Sequence, residues 1–149
     1  MLFRSHIVDQ MIWFGGHIES VHAMSDRVTG DYGPLDDVTS AHFRFRNGVT
    51  GCFSTLYATA DWWRMHVFGT QGWAQVLSEH TLVTCAVGGK PVTRAFDPTN
   101  TLGEALEAFA LAAAGGPAYP VPPEDAVNSS GVVEAIARSA QQHGIVRIA

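Results

Sequence analysis

DDVTSAHFRFRNGVTGCFSTLYAT, Asp36 to Thr59, sets two runs of β-branched and aromatic residues on either side of Asn47-Gly48. That dipeptide is a strong hairpin signal, because a two-residue type I′ turn needs positive φ at both central positions. With Arg46 facing Val49 across the turn, Phe45 opposes Thr50, Phe43 opposes Cys52 and Ala41 opposes Ser54 on one face. Arg44, His42 and Ser40 then oppose Gly51, Phe53 and Thr55 on the other, which Val38 and Tyr57 continue. A period of two makes the faces distinct surfaces. The first is small and apolar and suits a covering helix. The second mixes rings, a His and an Arg, and suits a pocket or a second subunit.

Upstream, Ser5 to Gly16 reads as a short helix, with Ile7, Met11, Ile12 and Phe14 near helical spacing and Gly15-Gly16 as its stop. His17 to Arg27 reads as a strand with neither face cleanly apolar, and Val28 to Leu35 as a loop. Downstream, Asp61 to Phe68, Trp73 to Leu77, Thr81 to Val87 and Pro91 to Phe96 read as strands joined by Gly69–Gly72 and Gly88-Gly89. Such short turns require antiparallel neighbours. Thr101 to Ala114 is helical, with Leu102, Leu106 and Phe109 on one stripe. A last helix starts near Pro123, where Glu124-Asp125 favour the positive end of the dipole, and Val133, Ile136, Ala137 and Ala140 supply its expected buried face. His143-Gly144 closes it, and Ile145 to Ile148 is an edge strand. The order predicts a single α+β domain: an open, mainly antiparallel sheet with helices on one face and the other face used for self-association.

Composition narrows the function. The chain has 149 residues, 46% of them hydrophobic and 15% charged, with a net charge of −5. That balance argues against nucleic acid or an anionic membrane as a partner. No apolar run approaches the ~20 residues needed to span a bilayer. No signal peptide is read at Met1-Leu2-Phe3-Arg4, and Cys52 and Cys85 are expected as buried, reduced thiols, so the expected location is cytoplasmic. Nothing reads GxGxxG or GxxxxGK[ST].

Two groups of residues could carry chemistry. His6 and Asp9, three apart on the first helix, project from one face, and a carboxylate there can orient an imidazole for acid–base work. As metal ligands they are only two where three or four are needed. His42 and His66 share a face with Arg44, Arg64, Tyr57 and Trp62. This set fits a groove for a polyhydroxy or carboxylated ligand, with Arg forking onto oxygens. It fits an aromatic, Arg-rich protein interface as well. No serine has a nucleophile-elbow context, and Asp36-Asp37 reads as turn chemistry.

Several stretches, in order, resemble the C-terminal domain of the Gfo/Idh/MocA oxidoreductases, the group of glucose-fructose oxidoreductase and inositol dehydrogenase. Ser5-His6-Ile7-Val8-Asp9 with Trp13-Phe14-Gly15-Gly16 is similar to the family's GxHxxD helix. Asp36-Asp37 through Phe45-Arg46-Asn47-Gly48-Val49-Thr50-Gly51 is similar to its hairpin, and Val67-Phe68-Gly69-Thr70-Gln71-Gly72 to its v.GT.G turn. Glu107-Ala108-Phe109, Pro120-Val121, Glu124-Asp125-Ala126, Ser139 and Gly144-Ile145-Val146 resemble its closing helices and strand. Leu2 stands where the family pattern has an Asp, and Ser5 where it has a Gly.

The resemblance implies NAD(P)-dependent chemistry on sugars and other polyols in complete members, where an N-terminal Rossmann domain holds the cofactor and supplies a catalytic Lys. It implies an acid–base role for His6, with Asp9 matching the later Asp, and self-association through the open sheet. The chain is therefore expected to be a substrate-binding and oligomerisation domain that binds no cofactor alone, with His42, Arg44, Tyr57, Trp62 and Arg64 as substrate contacts. The alternatives are a cofactor-independent acid–base enzyme using His6 and Asp9 in a closed pocket, and a subunit completing its site with a separate Rossmann-domain chain.

Overall fold

The computed structural model describes residues 2–30, 33, 35–60 and 62–148, with side chains from His6 onward. Asp61, the expected start of a strand, and Asp31, Tyr32 and Pro34 of the expected loop lie outside the described residues. The order is α1 (Leu2–Gly15), β1 (Ile18–Asp26), β2 (Val38–Phe45), β3 (Thr50–Leu56), β4 (Met65–Gly69), β5 (Gly72–Ser78), β6 (Thr81–Ala86), β7 (Val92–Ala95), α2 (Thr101–Ala113), α3 (Pro123–Gln142) and β8 (Val146–Arg147). The fold class is α+β, and every strand pairing among the described residues is antiparallel. The strands form two open four-stranded sheets, β3-β2-β1-β8 and β4-β5-β6-β7, where the sequence suggested one. Two compact units result: Met1–Thr59 with Pro120–Ala149, and Ala60–Tyr119.

In the first unit, the central hairpin is real but one residue out of the expected register. Gly48 N–H donates to Phe45 O at 3.0 Å and Phe45 N–H to Val49 O at 2.9 Å, which closes a three-residue loop. Gly48 has φ +88° and Asn47 is not in the left-handed region, so the turn is of the type I kind followed by a glycine bulge, not type I′. Asn47 secures it through its side chain, accepting from Val49 N–H at 3.1 Å and donating to Gly15 O at 2.9 Å. The pairs become Phe43–Gly51, His42–Cys52 and Ala41–Phe53. A slip of one flips a strand's faces. Phe53 therefore turns inward, its ring 5.3 Å from that of Phe43, and Cys52 turns out and is exposed. The expectation of a buried Cys52 fails for this reason; Cys85 is half-buried and also free.

β1 carries an irregularity between Ile18 and Ser20, where two of its residues face one of β2. Glu19 is the extra residue, so Ile18, Val21 and Ala23 all face inward and are buried. This explains why strict alternation gave no apolar face. α1 and α3 cover that side: Val8, Met11 and Ile12 of α1 and Val132, Ala135 and Ile136 of α3 are buried with Phe43 and Phe45. A Cβ on Gly15 would come within 2.5 Å of the Phe45 ring, so the helix end can approach β2 only as glycine.

The buried face of α3 is rotated from the expected one. Of Val133, Ile136, Ala137 and Ala140, only Ile136 is buried; Asn128, Ser129 and Ser139 are buried beside it. Asn128 and Ser139 serve the outer edge of β1, where the two-residue β8 pairs only with Ser20 and Val21. Asn128 accepts from Ile18 N–H at 2.9 Å and donates to Ile18 O at 3.1 Å. Ser139 Oγ accepts from Ala23 N–H at 2.8 Å. They stand in for a strand that is too short.

The second unit is a meander of β4 to β7 followed by α2. The expected strand from Asp61 begins only at Met65. Gly69 and Gly72 close the β4–β5 turn, and Gly88, at φ +74°, lies in the β6–β7 turn. Asn100 Oδ1 accepts from Gly103 N–H at 3.1 Å and caps α2. None of the residues of α2 is buried.

Candidate functional site

His6 and Asp9 lie on α1, and the helix puts them one turn apart. His6 is exposed. The Asp9 carboxylate accepts a hydrogen bond from the buried Ser129 hydroxyl, so α3 holds it in place. One turn earlier on α3, Asp125 Oδ1 lies 2.8 Å from His17 Nε2, both side chains being partly exposed. His17 directly precedes Ile18, whose backbone is clamped by Asn128, so the imidazole and its carboxylate hang from fixed positions. A carboxylate that orients an imidazole is the arrangement general acid–base chemistry uses. Ser129 and the His17–Asp125 pair are not among the residues expected from the sequence. The available signal was Asp125, Asn128 and Ser129 at helical spacing, running into Val132, Ile136 and Ser139 on one stripe: a buried face that begins polar.

His42 and Arg44 share the exposed face of β2, and Tyr57 follows β3, also exposed. Trp62 and Arg64 belong to the second unit, where the Arg64 guanidinium carbon sits 4.6 Å from the Trp62 ring centroid. In the same unit the His66 ring stacks on Phe68 at 4.1 Å and meets Trp73 edge-on at 5.1 Å. The expected substrate set is thus shared between two units: His42, Arg44 and Tyr57 in one, Trp62 and Arg64 in the other.

Asp37 is buried at the mouth of β2 and works on the loop, as turn chemistry requires. Its carboxylate accepts from Val28 N–H at 2.8 Å, Thr29 N–H at 2.8 Å and Thr29 Oγ1 at 2.5 Å. The Thr29 hydroxyl, then the Val28 amide, hold its pKa down to about 2. Among the described residues, no three His, Cys, Asp or Glu side chains surround a common point as a metal cage. No described helix is long and apolar enough to cross a membrane.

Residues 3–75 match the family described as the GFO/IDH/MocA C-terminal domain. The resemblance read in the sequence is to this family. No curated protein matches the chain. Among solved structures, one described as an oxidoreductase from Thermotoga maritima is 25% identical, with a TM-score of 0.81 over 97% of this chain and 45% of its own. Aldose-aldose oxidoreductase from Caulobacter crescentus, solved with glycerol, is 22% identical, with a TM-score of 0.81 over 96% of this chain and 45% of its own. Levoglucosan dehydrogenase, solved with NADH and L-sorbose, is 19% identical, with a TM-score of 0.77 over 98% and 48%. The chain thus spans about half the length of these GFO/IDH/MocA-like oxidoreductases.

Proposed function

We propose that this GFO/IDH/MocA-like chain is the substrate-binding and oligomerisation part of an oxidoreductase acting on sugars or polyols. The observation that carries the reading is the α1–α3 junction: Ser129 fixes the Asp9 carboxylate while His6, one turn away, stays open to a ligand. His6 takes or returns a hydroxyl proton at its imidazole, and Asp9 shapes the field around it. His42, Arg44 and Tyr57 in the first unit, and Trp62 with Arg64 in the second, are proposed as ligand contacts of their own units, Arg through its forked donors and the rings by stacking. The sugar names of two of the similar structures support the substrate class. Because His6 is exposed, the closed pocket needed by a cofactor-independent acid–base enzyme finds no support here.

The described residues do not fit a nicotinamide nucleotide. Dinucleotide sites sit on a parallel β–α–β unit with a glycine-rich turn, and the described pairings are all antiparallel. On this reading the nucleotide is held by other protein, whether a Rossmann segment or a separate Rossmann chain. A second copy of the chain packs on an open sheet face.

Sedimentation and thermal melting of the chain test both halves of the proposal. The expected result is a homo-oligomer whose Tm does not move with NADH or NADPH. A monomer, or a nucleotide-dependent rise in Tm, overturns it.

A further inference from the structure

The sheet β3-β2-β1-β8 closes one of its edges and leaves the other bare. Beyond β1, β8 pairs with Ser20 and Val21, while Asn128 bonds the backbone of Ile18 and Ser139 that of Ala23. β3 lies at the opposite edge. The bonds at its two ends sort its backbone: Phe45 N–H donates to Val49 O, and Tyr57 N–H to Asp37 O. Odd-numbered residues therefore bond to β2, in the pairs Phe43–Gly51, Ala41–Phe53 and Thr39–Thr55. Thr50, Cys52, Ser54 and Leu56 turn their N–H and C=O groups away from the sheet, and all four are exposed. None of the usual guards stands on this edge. TGCFSTL holds no charge and no proline, its pairing with β2 has no bulge, and it is seven residues long.

We infer that β3 pairs with the β3 of a second copy of the chain, antiparallel across a two-fold axis beside Phe53. In that register Cys52 faces Ser54 of the second copy and Thr50 faces Leu56, each relation occurring twice. All four outward residues of both strands are then hydrogen-bonded. A strand without charge meets its own copy without like-charge repulsion. The product is one eight-stranded sheet, in which the four strands of one copy run on into the same four in reverse order. Growth stops at two, because the far edge of each copy ends in a two-residue β8. The contact is one strand wide, so the dimer is weak and depends on concentration. It uses the edge of the sheet, not the face taken as the packing surface above, and needs neither substrate nor nucleotide.

Residue-resolved hydrogen exchange of the reduced chain, at low and high protein concentration, reads the edge directly. The amides of Phe53 and Thr55, bonded to β2, should be protected at both. Those of Cys52 and Ser54 should exchange freely in dilute solution and gain protection as the dimer fills. Sedimentation of two double variants tests the register. Cys52→Lys with Ser54→Lys sets lysine against lysine twice, whereas Cys52→Lys with Ser54→Glu sets opposite charges together. The second should dimerise about tenfold more tightly than the first. These exposed positions leave the fold intact, which far-ultraviolet circular dichroism checks. Cys52 and Ser54 amides that gain no protection with concentration, or equal dimerisation of the two variants, overturn the edge contact. An oligomer in which those amides stay open is packed on the face and leaves the function proposed above standing; a monomer at every concentration overturns both.

Discussion

In the first unit, Ile18, Val21 and Phe43 are sealed between β1–β2 and the helices α1 and α3; in the second, Leu102, Leu106 and Phe109 of α2 are 72%, 62% and 62% exposed. All the buried residues among those described belong to the first unit, and the second has none. Yet α2 carries the cleaner apolar stripe, while the packed helix α3 sets Asn128, Ser129 and Ser139 into its buried face. An amphipathic stripe says which side of a helix is ready to be covered. What fixes α3 on its sheet is the apolar contact together with hydrogen bonds to a strand that lacks a neighbour. The second unit's open apolar surface is in keeping with the proposed assembly role, since large exposed patches mark interaction surfaces.

Truncating one residue in each unit tests how differently the two are packed. Phe43→Ala should cost about 3–5 kcal/mol in urea denaturation, because the ring is buried and packs against Phe53. Leu106→Ala should stay within about 0.5 kcal/mol of the parent, since its side chain loses little contact on truncation. Equal losses would mean that α2 is as well packed as the first sheet.

How much of this was legible follows from the same residues. Element type and order could be read along most of the chain, because alternation and helical spacing report local geometry. The slip in the hairpin could not be read from Asn47-Gly48, since the same dipeptide serves a two-residue loop and, with Gly48 alone left-handed, a three-residue one. That single residue sent Cys52 outward and Phe53 inward. Glu19 hid the inner face of β1 by interrupting its period. The buried face of α3 departs from the expected one because Asn128 and Ser139 are buried in order to bond backbone that a two-residue β8 leaves open. In the site, His6 and Asp9 were visible from spacing, but Ser129 and Asp125 lie well over 100 positions along the chain from Asp9 and His17, and no local pattern joins them.

A milder contrast lies between two asparagines. Asn128→Ala removes both partners of the Ile18 backbone inside the first unit and should cost about 2–3 kcal/mol, since a buried unpaired group bears its desolvation penalty. Asn100→Ala removes only the cap of α2, whose end water can reach, and should cost about 1 kcal/mol. A larger loss at Asn100 would place the stability of the chain in its second unit.

The smallest expected effect separates the first unit's core from its own rim. Asp37 has its folded pKa lowered to about 2, below the ~3.9 of an unfolded aspartate, because the Thr29 hydroxyl and the Val28 and Thr29 amides bond its charged form. A depressed carboxylate contributes its stability above the unfolded value, and that contribution is lost as pH falls from about 4 through 2. The amides of Val28 and Thr29 should therefore lose hydrogen-exchange protection across that window, after correction for intrinsic rates, while Val21 and Phe43 keep theirs. Asp37→Asn should leave the same two amides under-protected already at pH 6, where the parent holds them. If Val21 opens together with Val28 as the acid is added, the loop clamp and the sheet form one cooperative unit, and Asp37 reports on the fold as a whole instead of its edge.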